Sequence, residues 1–165
     1  MKIFKLKSED WQIYKNLRLE ALQQAPMAFG NSYEESVTRT DDDWKTKLES
    51  KNNYIFVAQN GAEYVGMAAA YQEQGARIKH TGYVWGVYVR NTYRGQNIGK
   101  QLMQAVLAEL KSNNEIEKIN LNVNVNQIAA VKLYESLDFQ IAGTLHKELK
   151  IGNEYFDEYV MEKIF

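Results

Sequence analysis

Cysteine is missing from this chain altogether, which excludes disulfides, thiolate metal sites and a cysteine nucleophile. An excess of either charge is missing too. The 20 basic and 21 acidic residues leave a net charge of -1, so no global field draws the protein to nucleic acid or to an anionic membrane, and neither is an expected partner. There is no long apolar run. The opening Met-Lys-Ile-Phe begins neither a signal peptide nor a membrane span, and a cytoplasmic protein is the expectation. Histidine is restricted to His80 and His146, each read as an ordinary half-exposed strand residue, because a pKa near about 6.5 is not in itself a role. Proline occurs once, at Pro26, and no repeat, linker or low-complexity segment divides the chain. What remains is 165 residues with 45% hydrophobic content, long enough for one sizeable core and too short for two. A single domain over residues 1–165 follows, with no metal expected.

The most informative stretch runs from Trp85 to Leu110. Val84, Val87 and Val89, with Trp85 and Tyr88, are β-branched or aromatic and read as a strand. Arg94 to Gly99 join two glycines to polar groups, and Ile98, Leu102, Val106 and Leu110 then recur every fourth residue, as in a helix. The helix therefore begins inside the turn. Its first N–H groups lack intrahelical acceptors, its N-terminus carries partial positive charge, and glycine lets a ligand's oxygens approach the backbone. That is the outline of a phosphate cradle, though plain turn chemistry also uses such glycines. The nucleotide fingerprints do not fit. Gly95 and Gly99 enclose Gln-Asn-Ile where a dinucleotide site needs G-x-G-x-x-G, and Gln101 follows Lys100 where a P-loop needs Ser or Thr.

Around this stretch, Met1 to Lys7 read as a short edge strand, and Ser8 as the cap of a helix that buries Ile13, Leu17 and Ala21 and runs to about Ala25, where Pro26 stops it. Met27 to Thr40 lose periodicity and mix Phe29, Tyr33, Glu34 and Glu35 with turn formers, in the manner of a binding loop or a solvated tip. Thr40 and Asp43 form a capping-box pattern ahead of Trp44. Tyr54–Ala58 and Tyr64–Tyr71 flank the hairpin signal Asn60-Gly61, and Ile78–Val89 completes an antiparallel meander. Beyond the long helix, Lys118–Asn126 alternate Ile119, Leu121, Val123 and Val125 with Asn120, Asn122 and Asn124, a strand polar on one side. Asn126 then reads as the cap of a helix carrying Ala129, Ala130, Leu133, Tyr134 and Leu137. Gln140–Ile151 and Tyr155–Ile164 close the chain as a hairpin around Gly152-Asn153-Glu154.

Two of these segments resemble the motifs of the Gcn5-related N-acetyltransferase (GNAT) family. Arg94-Gly95-Gln96-Asn97-Ile98-Gly99 is similar to the family's Arg/Gln-x-x-Gly-x-Gly/Ala turn, with Asn97 in place of the first glycine. Asn126-x-x-Ala129-x-x-x-Leu133-Tyr134-Glu135-x-x-Asp138-Phe139 is similar to its N-x-x-A…L-Y-E-x-x-G-F, with Asp138 in place of the glycine. Asn tolerates left-handed backbone, and Asp suits the turn after a helix. The element order β, α, α, β, β, β, α, β, α, β, β extends the resemblance over nearly the whole chain. It implies a mixed α/β fold: a mostly antiparallel sheet with a splayed central strand pair, flanked by about four helices.

The resemblance also implies acetyl-CoA as acyl-donor cosubstrate. Its pantetheine would enter the wedge between the splayed strands and pair with the Val87 and Val89 amides, where a bulge interrupts their ladder. Arg94, Gly95, Gln96, Asn97, Gly99 and Lys100 would surround the pyrophosphate, and Asn126 and Ala129 would close the site. The Val87 N–H would be an oxyanion donor and Tyr134 the acid that protonates the leaving sulfur. Periodicity by itself makes Tyr134 a core aromatic.

Without cysteine, direct transfer in a ternary complex to a primary amine, a small metabolite or a peptide N-terminal amine, is the natural route. The positions where the family often carries a base look like Tyr83 and Trp85, so a water held by Tyr83, by backbone or by an acid from another segment, with Glu34, Glu35 and Asp157 as candidates, would take the proton. Phe29, Tyr33, Glu34, Glu35, Tyr155 and Asp157 are the candidates for the amine's pocket. A non-catalytic acyl-CoA-binding regulatory module is the alternative. The acceptor, the base and homodimer formation stay open.

Overall fold

The computed structural model describes residues 1–165. Alternating strands build one seven-stranded sheet: β1 (Lys2–Lys5), β2 (Asn53–Asn60), β3 (Glu63–Gln72), β4 (Thr81–Val89), β5 (Lys118–Asn124), β6 (Gln140–Ile151) and β7 (Glu154–Ile164), in the order β1-β2-β3-β4-β5-β7-β6. Every neighbouring pair is antiparallel except β4 and β5. The helices are α1 (Trp11–Gln24), α2 (Tyr33–Val37), α3 (Asp41–Glu49), α4 (Ile98–Ser112) and α5 (Ile128–Glu135). This is the mixed α/β architecture that the family resemblance implies, with one helix more. The addition is α2, only five residues long, which has no apolar periodicity and is held instead by the Ser32–Glu35 capping box.

Successive strand residues point to opposite faces, so the sheet divides the core in two. On one face Ala58, Ala68, Val84, Ile119, Leu121 and Val123 pack with Ile98, Leu102, Val106 and Leu110 of α4 and Val131 and Tyr134 of α5. On the other, Ile55, Val57, Met67, Ala69 and Tyr88 pack with Tyr14, Leu17 and Ala21 of α1 and Trp44 of α3. The buried stripe of α1 is rotated by about one residue from the expected row: Tyr14 and Arg18 are buried while Ile13 is half-buried. On β5, Asn120 and Asn122 take the same face as α1 and α3 and remain half-buried.

Three element starts differ from expectation, each because a nearby polar group offers a better partner. Ser8 does not cap α1: residues Ser8–Asp10 form a 3-10 turn in which the Asp10 carboxylate accepts the Lys7 N–H at 2.9 Å. The third meander strand begins at Thr81, so His80 lies in the preceding turn, its carbonyl accepting the N–H groups of Glu117 and Lys118. Asn126 does not cap α5. Its own N–H donates to Asn124 Oδ1 at 2.9 Å, and the helix starts two residues later at Ile128.

The feature that positions the site is the parting of β4 from β5. The two pair only at Thr81–Tyr83 with Lys118–Asn120, and beyond that they separate. The bulge responsible lies on the other edge of β4, not in the β4–β5 ladder: the β3–β4 register shifts between Met67 and Ala69, opposite Gly86, whose φ is +66°. A bulge bends its strand and increases the local twist. Past it, the Arg90 N–H bonds to Val65 O at 2.9 Å. Because N–H directions alternate along a strand, those of Val87 and Val89 point toward β5 and the opening.

Left-handed backbone costs an L-residue about 1–2 kcal/mol, and a Cβ on Gly86 would meet Met67 Cε at 3.3 Å. Gly86→Ala is therefore expected to lower the unfolding free energy by about 1–2 kcal/mol in a urea titration. An unchanged midpoint and slope would mean that the bulge does not depend on glycine.

Candidate active site

Where β4 and β5 part, a groove of about 780 Å³ opens between Val84–Val89 of β4, the turn into α4, Leu121–Val123 of β5 and the start of α5. The turn is held in left-handed conformations. Gly95 has φ +76°, and Asn97, the residue before α4, has φ +63° with no capping bond from its side chain. The first backbone bond of this end runs from Gln101 N–H to Asn97 O at 3.1 Å. The amides of Ile98, Gly99 and Lys100 are thus without intrahelical acceptors and form the positive end of the helix dipole. A Cβ on Gly99 would meet Leu133 Cδ2 at 3.3 Å, so glycine here lets α5 close over the first turn of α4. Arg94 Nε donates to Val89 O at 3.1 Å, tying the turn to the end of β4.

Both departures from the motif glycines fall at left-handed positions, Asn97 at φ +63° and Asp138 at φ +66°. Asn and Asp are the non-glycine residues that adopt this conformation most readily, so the chain turns at both places as a glycine would allow.

Val87, Val89, Arg94, Gly95, Asn97, Gly99, Lys100, Asn126, Ala129 and Tyr134 all line this groove. Gln96 does not. It is exposed, and its amide turns back to Thr92 O at 3.5 Å. Tyr134 is only 6% exposed and packs edge-on against Phe139 at 6.2 Å between ring centres. Burial alone pushes its phenol above the ordinary value.

A second cavity, of about 1050 Å³, meets the groove at the bulge: Ala28, Val84, Trp85, Gly86 and Asn122 line both. It occupies the α1 and α3 side of the sheet. Tyr14 and Arg18, the segment Ala28–Asn31, Arg39, Tyr71, Tyr83, Asn122, Glu148 and Glu158 are among its walls. Glu158 is 7% exposed. Burial raises its pKa above the ordinary carboxylate value, the Asn122 amide opposes that, and the charge of Glu148 adds to it. Tyr83 stacks on Tyr71 at 5.4 Å and is pushed up to about 12, by burial first and then by Tyr71 and the nearby acids. At neutral pH it stays a phenol, able to hold a water but not to act as the base itself.

Of the expected pocket residues, Phe29 lines this cavity, whereas Tyr33, Glu34, Glu35, Tyr155 and Asp157 line neither space. Glu35 is engaged in the α2 capping box, its carboxylate accepting the Ser32 N–H at 3.4 Å, and Glu34 is exposed beside it. Tyr155 lies at the hairpin end, with Lys147 and Lys150 over its ring. Asp157 accepts the Lys147 N–H at 2.8 Å and pairs with His146 Nδ1 at 2.9 Å, contacts that hold its carboxyl below the usual range. Strand parity is the physical reason: neighbours on β7 face opposite ways, and Glu158 is the one turned to the cavity. The cavity is also lined by Glu158, Asn122, Arg39 and Arg18, which were not among the expected pocket residues. The available signals were an acid at the alternate positions of Phe156 and Val160 and an arginine directly after Leu17 in the α1 stripe.

No helix is long and apolar enough to cross a membrane, and no three His, Asp or Glu side chains are grouped to hold a metal ion.

Residues 12–139 match the model of the acetyltransferase (GNAT) family. The chain is 25% identical over 126 residues to the L-amino acid N-acetyltransferase AaaT of Escherichia coli (strain K12), an alignment covering 76% of this chain and 77% of that protein. It is 31% identical over 118 residues to an N-alpha-acetyltransferase of Sulfurisphaera tokodaii, covering 65% of this chain and 66% of the relative. Its fold superposes with a TM-score of 0.85 on yncA from Salmonella typhimurium, solved with its cofactor acetyl-CoA, over 99% of this chain and 93% of the other at 16% identity.

Proposed function

The chain belongs to the acetyltransferase (GNAT) family and is an acyltransferase; from that premise we propose that it moves the acetyl group of acetyl-CoA directly to a primary amine, a small metabolite or a peptide N-terminal amine, in a ternary complex. One observation carries the reading: the groove that holds both motifs and the cavity that holds Glu158 meet at the β4 bulge.

The residues present suit the donor. The open amides of Ile98, Gly99 and Lys100, with the cationic side chains of Arg94 and Lys100, suit a pyrophosphate. The Val87 and Val89 N–H groups suit an extended pantetheine laid along β4. In this account the Val87 N–H stabilises the thioester oxygen as the amine nitrogen forms its bond to the carbonyl carbon. Glu158, directly or through a water at Tyr83, takes the proton the amine loses. As the carbon–sulfur bond breaks, Tyr134 gives its proton to the sulfur and recovers one from solvent. Glu158 thus takes the role that the sequence left among Glu34, Glu35 and Asp157.

Acetyl-CoA is expected to raise the melting temperature and ATP or NAD to leave it unchanged. At about a hundredfold above the dissociation constant the gain is roughly 2.7 kcal/mol, or several degrees. Gly99→Val, which crowds the open amides and Leu133, is expected to remove the shift. Protection by ATP but not by acetyl-CoA would overturn the proposal.

A further inference from the structure

Taking the second cavity as the acceptor site, an assignment that rests on the function proposed above, we propose that the acceptor is a free amino acid whose carboxylate is held by Arg18. Arg18 is 5% exposed and lines that cavity. Its Nη2 donates to Asn31 Oδ1 at 3.3 Å, while Nη1 is buried with no partner. The guanidinium lies over Phe29 at 4.5 Å and Trp85 at 5.5 Å, which fixes its plane without neutralising it. Arg39, another wall residue, adds a second positive charge that, with burial, disfavours the Arg18 cation.

No carboxylate pairs with Arg18. Neither arginine takes part in any ion pair of the chain. Asp43 also lines the cavity, where its carboxylate accepts the Thr40 N–H and hydroxyl, both at 2.8 Å, and feels the charge of Arg39 rather than pairing with Arg18. A buried cation with an open donor is costly unless an anion arrives to meet it. Glu148 and Glu158 line the same cavity, so it carries acids as well as the two arginines, as a zwitterion requires.

The position narrows the class further. Nη1 is 3.8 Å from where a Cβ on Gly86 would sit, and Gly86 directly precedes the Val87 amide assigned to the thioester oxygen. A carboxylate on Arg18 is therefore close to the attacking nitrogen, as in an α-amino acid. A peptide N-terminus presents a neutral amide at that point, and a polyamine brings only further positive charge to the two arginines.

The test compares each common amino acid with its own carboxamide at saturating acetyl-CoA, following coenzyme A release. For the best acceptors the acid is expected to exceed the amide in kcat/KM by at least about tenfold. Arg18→Met is expected to lower kcat/KM for the acid on the order of thirtyfold, mainly through KM, with a much smaller change for the amide. Arg18→Lys should recover part of the loss. Amides that match or exceed acids in the unaltered enzyme would overturn the inference while leaving amine acetylation standing. No turnover with any amine, with the acetyl-CoA melting shift intact, would instead remove the reading on which it rests, and the inference with it. If Arg18→Met does not fold, the acid-to-amide ratio of the unaltered enzyme decides alone.

Discussion

Glu158→Gln is expected to lower turnover at saturating substrates on the order of a hundredfold to ten-thousandfold, the range a positioned base supplies. The substitution keeps the size and hydrogen-bonding reach of the side chain and removes only its ability to accept the proton. In the unaltered enzyme Glu158 must be ionised to work, and burial raises its pKa above the ordinary 4.5. The acid limb of kcat therefore belongs at a pH above that value, and in Glu158→Gln that limb disappears.

Stability moves the other way. The folded pKa lies above the unfolded one, so the folded state holds the proton more tightly. That contribution is complete below the unfolded value and is lost as pH rises through the folded value. At neutral pH the buried carboxylate is a liability, and Glu158→Gln should melt no lower than the parent. Lost turnover with undiminished melting temperature marks a catalytic group. Retained turnover would return the proton to a water chain that does not involve Glu158.

Tyr134→Phe is expected to cost up to about a thousandfold in kcat while leaving acetyl-CoA binding and the fold intact. The ring is core: it packs with Phe139 and lies in the cluster with Val131 and Leu137, and Phe preserves that packing. Only the hydroxyl is removed. Burial pushes the phenol above its ordinary value, and a thiolate leaving in the same groove is desolvated by the same surroundings, which raises its proton affinity too. The match between donor and acceptor is thereby kept. Near-normal kcat, with chemistry shown to limit the rate, would make Tyr134 a core aromatic alone.

The lining of the groove was legible in the sequence because its signals are local. A strand, a turn and a helix start within Trp85–Lys100, and the Asn126–Phe139 helix carries its own pattern; each is fixed by neighbours a few residues away. Asn97 and Asp138 were readable as glycine substitutes for the same reason. The lining of the second cavity depends on elements far apart in sequence. Arg18 on α1, Tyr83 on β4, Asn122 on β5 and Glu158 on β7 meet only through sheet order and register. The alternation of the last hairpin is also broken, by register shifts on β6 and by Lys147 at φ +55°, so the acid of β7 that lines the cavity is Glu158, one residue away in parity from Asp157. The Met27–Thr40 loop misled in a different way: Ala28–Asn31 and Arg39 reach the cavity, while Tyr33–Val37 between them, which holds Glu34 and Glu35, coils into the short capped α2.

Acyl transfer itself is tested most directly by incubating the purified protein with acetyl-CoA and a panel of primary amines, measuring free thiol and the mass of the amine together. Thiol release that depends on one class of amine, matched by a product heavier by one acetyl group and abolished in a Glu158→Gln, Tyr134→Phe double variant, is the predicted result. Acetyl-CoA that binds and raises the melting temperature, yet gives up no thiol to any amine in the panel, would contradict it.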